Sequence, residues 1–496
     1  MSAVKMIAFA DLLALAGERK AAVVTHSGKA GSGDIFVTLP KAVPVGPSGP
    51  DYTGAEKFLA DAVRAGASYV VCTEALLEAA CPLLQGVSFQ AALVPDTRAA
   101  LGELASARYG TAAAKVRLLG ITGTNGKTTS TYLLEAILRA AGHVPGVIGT
   151  VEYRWPGYRE ESPLTTPDCM TLHGMVAAMG AAGADIALME VSSHAIEQNR
   201  IAGLNFGGAL FTNLTQDHLD YHRDMEEYFA VKSRLFTNAP TGAALAANVD
   251  DPYGARLFDA VPGVLGFGFA RKGERILFGE LLEQSRDGLK LRMTCAGKSW
   301  ELTSPLVGEF NAYNLLGAQA LALAFGVDIA ALGALETFCG VPGRLERIAN
   351  DQGLSVFVDY SHTPDALRKA LAALRGAKFS RIITVFGCGG NRDRAKRPLM
   401  GEAAAEFSDV VVLTSDNPRK EDPLAIMADA RPGLVKARKI IEEADRKKAI
   451  GIALGELRPG DALLIAGKGH EPYQIIGDVK YPFSDQQVVR EFLGCA

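Results

Sequence analysis

The sequence predicts an α/β protein of parallel sheets with helices on their faces. Short apolar runs carry that prediction. YVVC (69–72), RLLGI (117–121), DIALMEV (185–191), RIITVFG (381–387), DVVVLTS (409–415) and DALLIAG (461–467) alternate with Ala/Leu-rich helical stretches. Strands buried on both faces read as continuous apolar runs, and helical stretches between them imply crossover connections. Length is the second observation: 496 residues, at about 150 per domain, predict roughly three domains.

In chain order, MSAVKMIAFADLLALAG opens the sequence, with Ile7, Leu12, Leu13 and Leu15 spaced for an amphipathic first helix. Asp11 interrupts the apolar run and argues against a secretory signal. The region up to residue 108 lacks a phosphate-binding loop and contains the Gly/Pro-rich stretch PKAVPVGPSGPDYTG (40–54). A second domain, 109–339, runs from the strand before TGTNGKTTS through the helix YNLLGAQALALAFG (313–326). A third, 340–496, opens near GVPGRLERI and holds the last three apolar runs.

Composition narrows the function classes. With 51 Lys+Arg against 55 Asp+Glu the net charge is −4, without the basic excess of a nucleic-acid or anionic-membrane binder. Seven scattered cysteines without a C-x-x-C pair fit reduced thiols better than a disulfide framework. No uncharged apolar run reaches the roughly eighteen residues that a membrane span needs. The expectation is a soluble, cytoplasmic protein, with neither nucleic acid binding nor membrane insertion.

The strongest local signal is LLGITGTNGKTTSTYLLEAIL (118–138). An apolar strand ends in a glycine turn, and Lys127, Thr128 and Thr129 open a helix. Such a turn aims backbone N–H groups and the positive end of a helix dipole at phosphates. Lys127 suits the β/γ-phosphates and the Thr128 hydroxyl suits Mg²⁺. The usual pattern places glycine at position 121; here that residue is Ile121, and the glycines fall at Gly120 and Gly123.

Other segments offer chemistry, each with a plainer reading beside it. Glu190 in MEVSSHAIEQNRI (189–201) ends a strand, where parallel sheets present ligands; it also suits a helix cap or a surface charge. His218 and Lys232 lie in TNLTQDHLDYHRDMEEYFAVKSRLF (212–236) and are equally at home as structural or solvated groups. SPLTTPD (162–168) reads as a turn carrying two hydroxyls. Asn311 and Asn314 either cap a helix or touch a nucleotide. FGCGGNRDRAKRPLMG (386–401) is a basic loop at a strand end, and AGKGHEPYQ (466–474) is a glycine-rich turn.

TGTNGKTT is the form found in the Mur ligases, and together with the other segments it spans the chain from about residue 25 to its end. The sequence therefore resembles the Mur ligase family, the ATP-dependent amide ligases of peptidoglycan precursor synthesis. The resemblance implies an N-terminal uridylate-binding α/β domain, a central P-loop-type parallel-sheet ATPase domain and a C-terminal Rossmann-like α/β domain. It implies an ATP site of Gly123, Thr124, Asn125, Gly126, Lys127, Thr128, Thr129, Asn311, Arg344 and Asp359, with the third domain closing over the second. It assigns two Mg²⁺ ions to Thr128, Glu190, His218 and Lys232, the last as a CO₂-derived carbamate. A lysine whose pKa falls on burial supplies the uncharged amine which that reaction needs.

For the uridylate-linked substrate, the resemblance points to Ser27, Thr165, Thr166, Ser192, Gln198 and Arg200. The common Ser-Arg pair reads Ser27-Gly28 here. For the incoming amino acid it points to Arg392, Asp416, Asn417, Pro418, Arg419, Gly467 and Glu471. DNPR (416–419) is the form associated with meso-diaminopimelate, and lysine-adding relatives depart from it at the Arg position. Diaminopimelate is lysine with one more carboxylate, which a guanidinium clamps bidentately. The implied reaction adds meso-diaminopimelate to the UDP-linked muramoyl dipeptide through an acyl phosphate. Lysine or glutamate addition, and an ATP-driven switch without small-molecule acceptors, are the rival readings.

Overall fold

The computed structural model describes residues 4–42 and 50–495. Most of the Gly/Pro-rich stretch at 40–54 therefore lies outside the described residues. Two compact units are present: 1–266 with 317–328, and 267–316 with 329–496.

In the first unit a five-stranded sheet runs Val4–Met6, Phe89–Leu93, Tyr69–Cys72, Ile35–Val37, Val23–Val24, every pair parallel. Leu59, Val63 and Leu76 cover one face; Leu12, Ala16, Leu101 and Leu104 cover the other. The first helix is Phe9–Gly17 and buries Leu12 and Ala16, so Ile7 falls just before it. Asp96 caps the helix Thr97–Tyr109 by accepting from the N–H groups of Arg98 and Ala99.

The same unit holds parallel strands in the order Ala244–Asn248, Phe206–Phe211, Arg117–Thr122, Ile186–Glu190, Pro145–Ile148. Arg117–Thr122 and Ile186–Glu190 are inner strands, which explains their continuous apolar character. Both therefore end at the carboxyl edge where the phosphate loop begins. An antiparallel hairpin, Glu152–Trp155 with Tyr158–Glu161, extends the sheet. Arg154 ties it to the helix Lys127–Ala140 through Glu135 and lies 4.2 Å from the centroid of the Tyr132 ring.

The second unit contains three antiparallel strands, Ile276–Ser285, Gly288–Cys295 and Lys298–Ser304. The last two alternate buried with exposed or half-buried residues over most of their length, so no continuous apolar run marks them. Its main sheet runs Glu346–Arg347, Ser355–Asp359, Ala462–Ala466, Ile382–Phe386, Val410–Leu413, Ile440–Glu442, parallel except for the first strand. All six apolar runs read as strands in the sequence are strands in the structure.

A bidentate ion pair lies beneath this sheet's carboxyl edge. Arg446 donates to Asp485 at 2.8 and 2.7 Å, and both side chains are fully buried. Asp485→Ala leaves the guanidinium buried without its counter-charge, so we expect a loss of about 3–5 kcal/mol in unfolding experiments. A loss below about 1 kcal/mol would show that the charge is already balanced by the carbonyl groups around it.

Candidate active site

The phosphate loop is shaped by glycines where the backbone demands them. Gly123 (φ 145°) and Gly126 (φ 84°) adopt conformations that L side chains rarely take, and a Cβ at 123 would overlap the Thr212 hydroxyl. Asn213 braces the loop: its carbonyl accepts from Thr124 N–H (2.9 Å) and its Oδ1 from Asn125 N–H (3.0 Å). Lys127 donates to the carbonyl oxygens of Gly123 (3.0 Å) and Thr124 (2.9 Å). The helix Lys127–Ala140 follows directly, carrying Thr128 and Thr129 in its first turn.

Glu190 meets that turn. Its Oε2 accepts from the Thr128 hydroxyl at 2.9 Å and from the Thr150 hydroxyl at 3.0 Å, while Oε1 accepts from Thr150 N–H at 2.8 Å. Only 1% of Glu190 is exposed, so it is neither a surface charge nor a helix cap. A Cβ at residue 149 would overlap Oε1, which makes Gly149 a steric requirement of this carboxylate. No ion pair reaches Glu190 among the described residues. A buried carboxylate held by neutral donors, beside a threonine hydroxyl, offers hard oxygens to a cation and suits Mg²⁺. Among the described residues no three or more His, Cys, Asp or Glu groups are arranged to hold a metal.

Lys232 is 1% exposed and donates to the Gly123 carbonyl (3.0 Å) and the Thr122 hydroxyl (3.4 Å). Burial drives its pKa well below the usual lysine range, and the charge of Lys127 adds to that fall. The Tyr228 ring centroid lies 4.8 Å from its Nζ, and the Tyr228 hydroxyl is 3.3 Å from that of Thr124. His218 takes a left-handed backbone (φ 53°), with its ring 5.0 Å from that of His194 and 6.2 Å from that of Tyr228. Burial lowers its pKa, against the raising effect of Asp217.

Five of the six residues assigned to the uridylate-linked substrate gather around Glu190. Thr166 donates to the Glu190 carbonyl (2.8 Å) and accepts from Ser192 N–H (3.1 Å), and Thr165 lies 3.1 Å from the Thr150 hydroxyl. Arg200 donates to the Thr166 carbonyl (2.9 Å) and to Gln198 Oε1 (2.7 and 3.0 Å). Ser192 also caps the helix Ser193–Glu197. Ser27 stands apart, in the Ser27–Lys29 turn of the five-stranded sheet.

In the second unit the assigned nucleotide residues are engaged locally. Asn311 and Asn314 lie inside the helix Glu309–Ala324, not at its cap; Asn311 donates to the Val307 carbonyl (2.9 Å) and accepts from Asn314 (3.1 Å). The capping alternative is thereby excluded, because the helix has already begun. Asp359 accepts from the N–H groups of Leu345 (2.6 Å) and Ser361 (2.9 Å), and burial raises its pKa. The Arg344 guanidinium lies 4.9 Å from the Tyr360 ring centroid.

The DNPR segment (416–419) packs against AGKGHEPYQ (466–474). Asn417 Nδ2 donates to Glu471 (3.2 Å), and Asn417 Oδ1 accepts from Ile475 N–H (2.9 Å). A Cβ at Gly467 would lie 3.5 Å from Asp416. Arg419 is pinned at φ 52°, with its N–H on the Ile475 carbonyl and its carbonyl accepting from Gly477 N–H. Its guanidinium bonds the carbonyl oxygens of Gly390 (3.0 Å) and Asn417 (3.4 Å), and no ion pair claims it among the described residues. Pro418 sits between these two anchors. Arg392, two residues beyond Gly390, is exposed. Sequence reasoning passed over Thr150 and Lys468, whose partners lie far away along the chain.

Residues 121–322 match the Mur ligase middle domain, and residues 343–469 match the Mur ligase glutamate ligase domain. A UDP-N-acetylmuramoyl-L-alanyl-D-glutamate--2,6-diaminopimelate ligase of Lawsonia intracellularis is 53% identical over 480 residues, covering 95% of this chain and 96% of that protein. The chain belongs to the Mur ligase family. The ligase of the same name from Gloeobacter violaceus is 44% identical over 477 residues, covering 95% of this chain and 94% of its own length. A solved structure of a ligase so named superposes with a TM-score of 0.69 at 32% identity, over 95% of this chain and 94% of that one. Both Thr128 and Glu190 lie within the residues that match the middle domain.

Proposed function

We propose that this chain is an ATP-dependent amide ligase that joins meso-diaminopimelate to the side-chain carboxyl of D-glutamate in UDP-N-acetylmuramoyl-L-alanyl-D-glutamate. Its place is peptidoglycan precursor synthesis in the cytoplasm, and it acts as a monomer on small molecules. The observation that carries the choice of amino acid is Arg419, a guanidinium fixed by carbonyl groups and unclaimed by any carboxylate among the described residues. No helix among them is long and apolar enough to cross a membrane. The working division is 1–108 for the uridylate-linked substrate, 109–339 for ATP and 340–496 for the amino acid.

The acceptor carboxylate attacks the γ-phosphorus of ATP, forming an acyl phosphate and releasing ADP. Thr165, Thr166, Ser192, Gln198 and Arg200 orient the acceptor, and Ser27 contributes to the uridylate end. Gly123 through Thr129 receive the phosphates on backbone N–H groups, while Lys127 offsets the charge that develops on the transferred group. Asn311, Arg344 and Asp359 are further residues assigned to the nucleotide. When bound, Mg²⁺ neutralises phosphate charge; Thr128 and Glu190 would hold one ion, and His218 with a carbamate on Lys232 a second. The carbamate forms when the free amine of Lys232 adds to CO₂ and loses a proton. Arg392, Asp416, Asn417, Pro418, Arg419, Gly467 and Glu471 hold diaminopimelate, whose free amine attacks the acyl carbon and expels phosphate.

Hydroxylamine tests the sequence of steps. With ATP, Mg²⁺ and the UDP-linked acceptor but no diaminopimelate, it is expected to trap the acyl phosphate as a hydroxamate. ADP formed equally well without the acceptor would instead favour the plain ATPase reading.

A further inference from the structure

Lys468 is a lysine without exposed surface, set in a cluster of acceptors. Its Nζ donates to Asn417 Oδ1 at 3.0 Å and to Asp416 Oδ1 at 3.3 Å, and Glu471 Oε2 lies 3.8 Å away. We infer that Lys468 is a positioning residue of the diaminopimelate site, holding Asp416, Asn417 and Glu471 in the arrangement that receives the distal ammonium of the amino acid. This rests on the proposed reaction.

Three observations carry it. The first is orientation. Asn417 Oδ1 accepts from both Lys468 and Ile475 N–H, which turns Nδ2 toward Glu471 and fixes the carboxylate's position. The second is charge. Asp416 and Glu471 contribute −2 and Lys468 +1, leaving −1 to meet an incoming ammonium, while Arg446 beneath them is balanced by Asp485. Without Lys468 the two carboxylates would repel each other, and burial already raises the pKa of Glu471.

The third is rigidity. Gly467 (φ 119°) and Gly469 (φ 55°) flank Lys468, and a Cβ at 469 would lie 2.7 Å from Tyr360 Cβ, so the turn has little freedom. Because Lys468 has no exposed surface, it acts through its three partners rather than on substrate. Recognition of the zwitterionic end is thereby divided. Arg419 takes the carboxylate, and the cluster that Lys468 organises takes the ammonium.

Lys468→Met, which keeps the length of the chain but not the charge, tests the assignment in the full-length enzyme. The KM for diaminopimelate is expected to rise about thirtyfold, equivalent to about 2 kcal/mol of binding. The KM values for ATP and the UDP-linked acceptor, and hydroxamate formation without diaminopimelate, should stay within about threefold of the parent. A merely structural lysine would depress all of these together, and that result would overturn the inference. So would a KM for diaminopimelate within about twofold of the parent's. Lys468→Gln, which loses the charge but keeps a donor for Asn417 Oδ1, guards against misfolding of the single variant; it should show the same selective loss. If neither variant folds, Lys468 is a folding residue and the inference falls. A parent enzyme that turns over with lysine and not with diaminopimelate would instead refute the proposed function.

Discussion

Replacing Lys232 by alanine is expected to lower turnover by about 10²–10³, because in the proposed site the group removed acts where charge develops during phosphoryl transfer. Lys232→Arg should fail equally, and that comparison is diagnostic. If the side chain worked as a simple cation, arginine would preserve much of the activity; if it works as a carbamate, arginine cannot form one. The physical basis is the burial of Nζ against the Gly123 carbonyl, which pushes its pKa well down. A lowered pKa leaves more free amine at neutral pH, so carbamate is favoured above the folded-state pKa and lost as pH falls through it. Activity should therefore drop when the enzyme is stripped of CO₂ at mildly acidic pH and return when bicarbonate is added. Isotope-labelled CO₂ should give a carbamate signal in the parent and none in either variant. Activity indifferent to CO₂, with Lys232→Arg near the parent, would contradict the carbamate.

Arg419→Ala carries the second large effect. The guanidinium is already oriented by the carbonyl groups of Gly390 and Asn417, and its backbone is locked against the strand Tyr473–Ile476. In the proposed site, removing it leaves the distal carboxylate of diaminopimelate desolvated without a partner. Truncating one member of such a charge pair costs about 2–5 kcal/mol, or roughly thirtyfold to several thousandfold in kcat/KM. L-Lysine has no such carboxylate, so its kcat/KM should change little and the preference between the two should narrow or reverse. An equal loss for both amino acids would mean that Arg419 shapes the loop rather than reads the carboxylate.

Much of this site is legible in the sequence wherever function sits at the end of an apolar strand. Lys127, Glu190 and the DNPR segment each follow such a run, and parallel sheets present their carboxyl edges to ligands. What escapes is whatever depends on contacts distant along the chain. Thr150 lies 40 residues from Glu190, and Lys468 lies 51 residues from Asn417; neither neighbourhood carries a mark of its partner. Local spacing leaves Asn311 open to a capping role because it does not encode where the helix starts; the structure begins that helix at Glu309. Strands that alternate buried and exposed residues, as at Lys298–Ser304, give a weaker signal than buried parallel ones and are missed for that reason.

The proposed function turns on which amino acid this ligase adds. ATP-dependent phosphate release in the presence of UDP-N-acetylmuramoyl-L-alanyl-D-glutamate, compared between meso-diaminopimelate and L-lysine, tests it most directly. Strong turnover with diaminopimelate and little with lysine is the predicted result. Preference for lysine, or phosphate release indifferent to both, would contradict it.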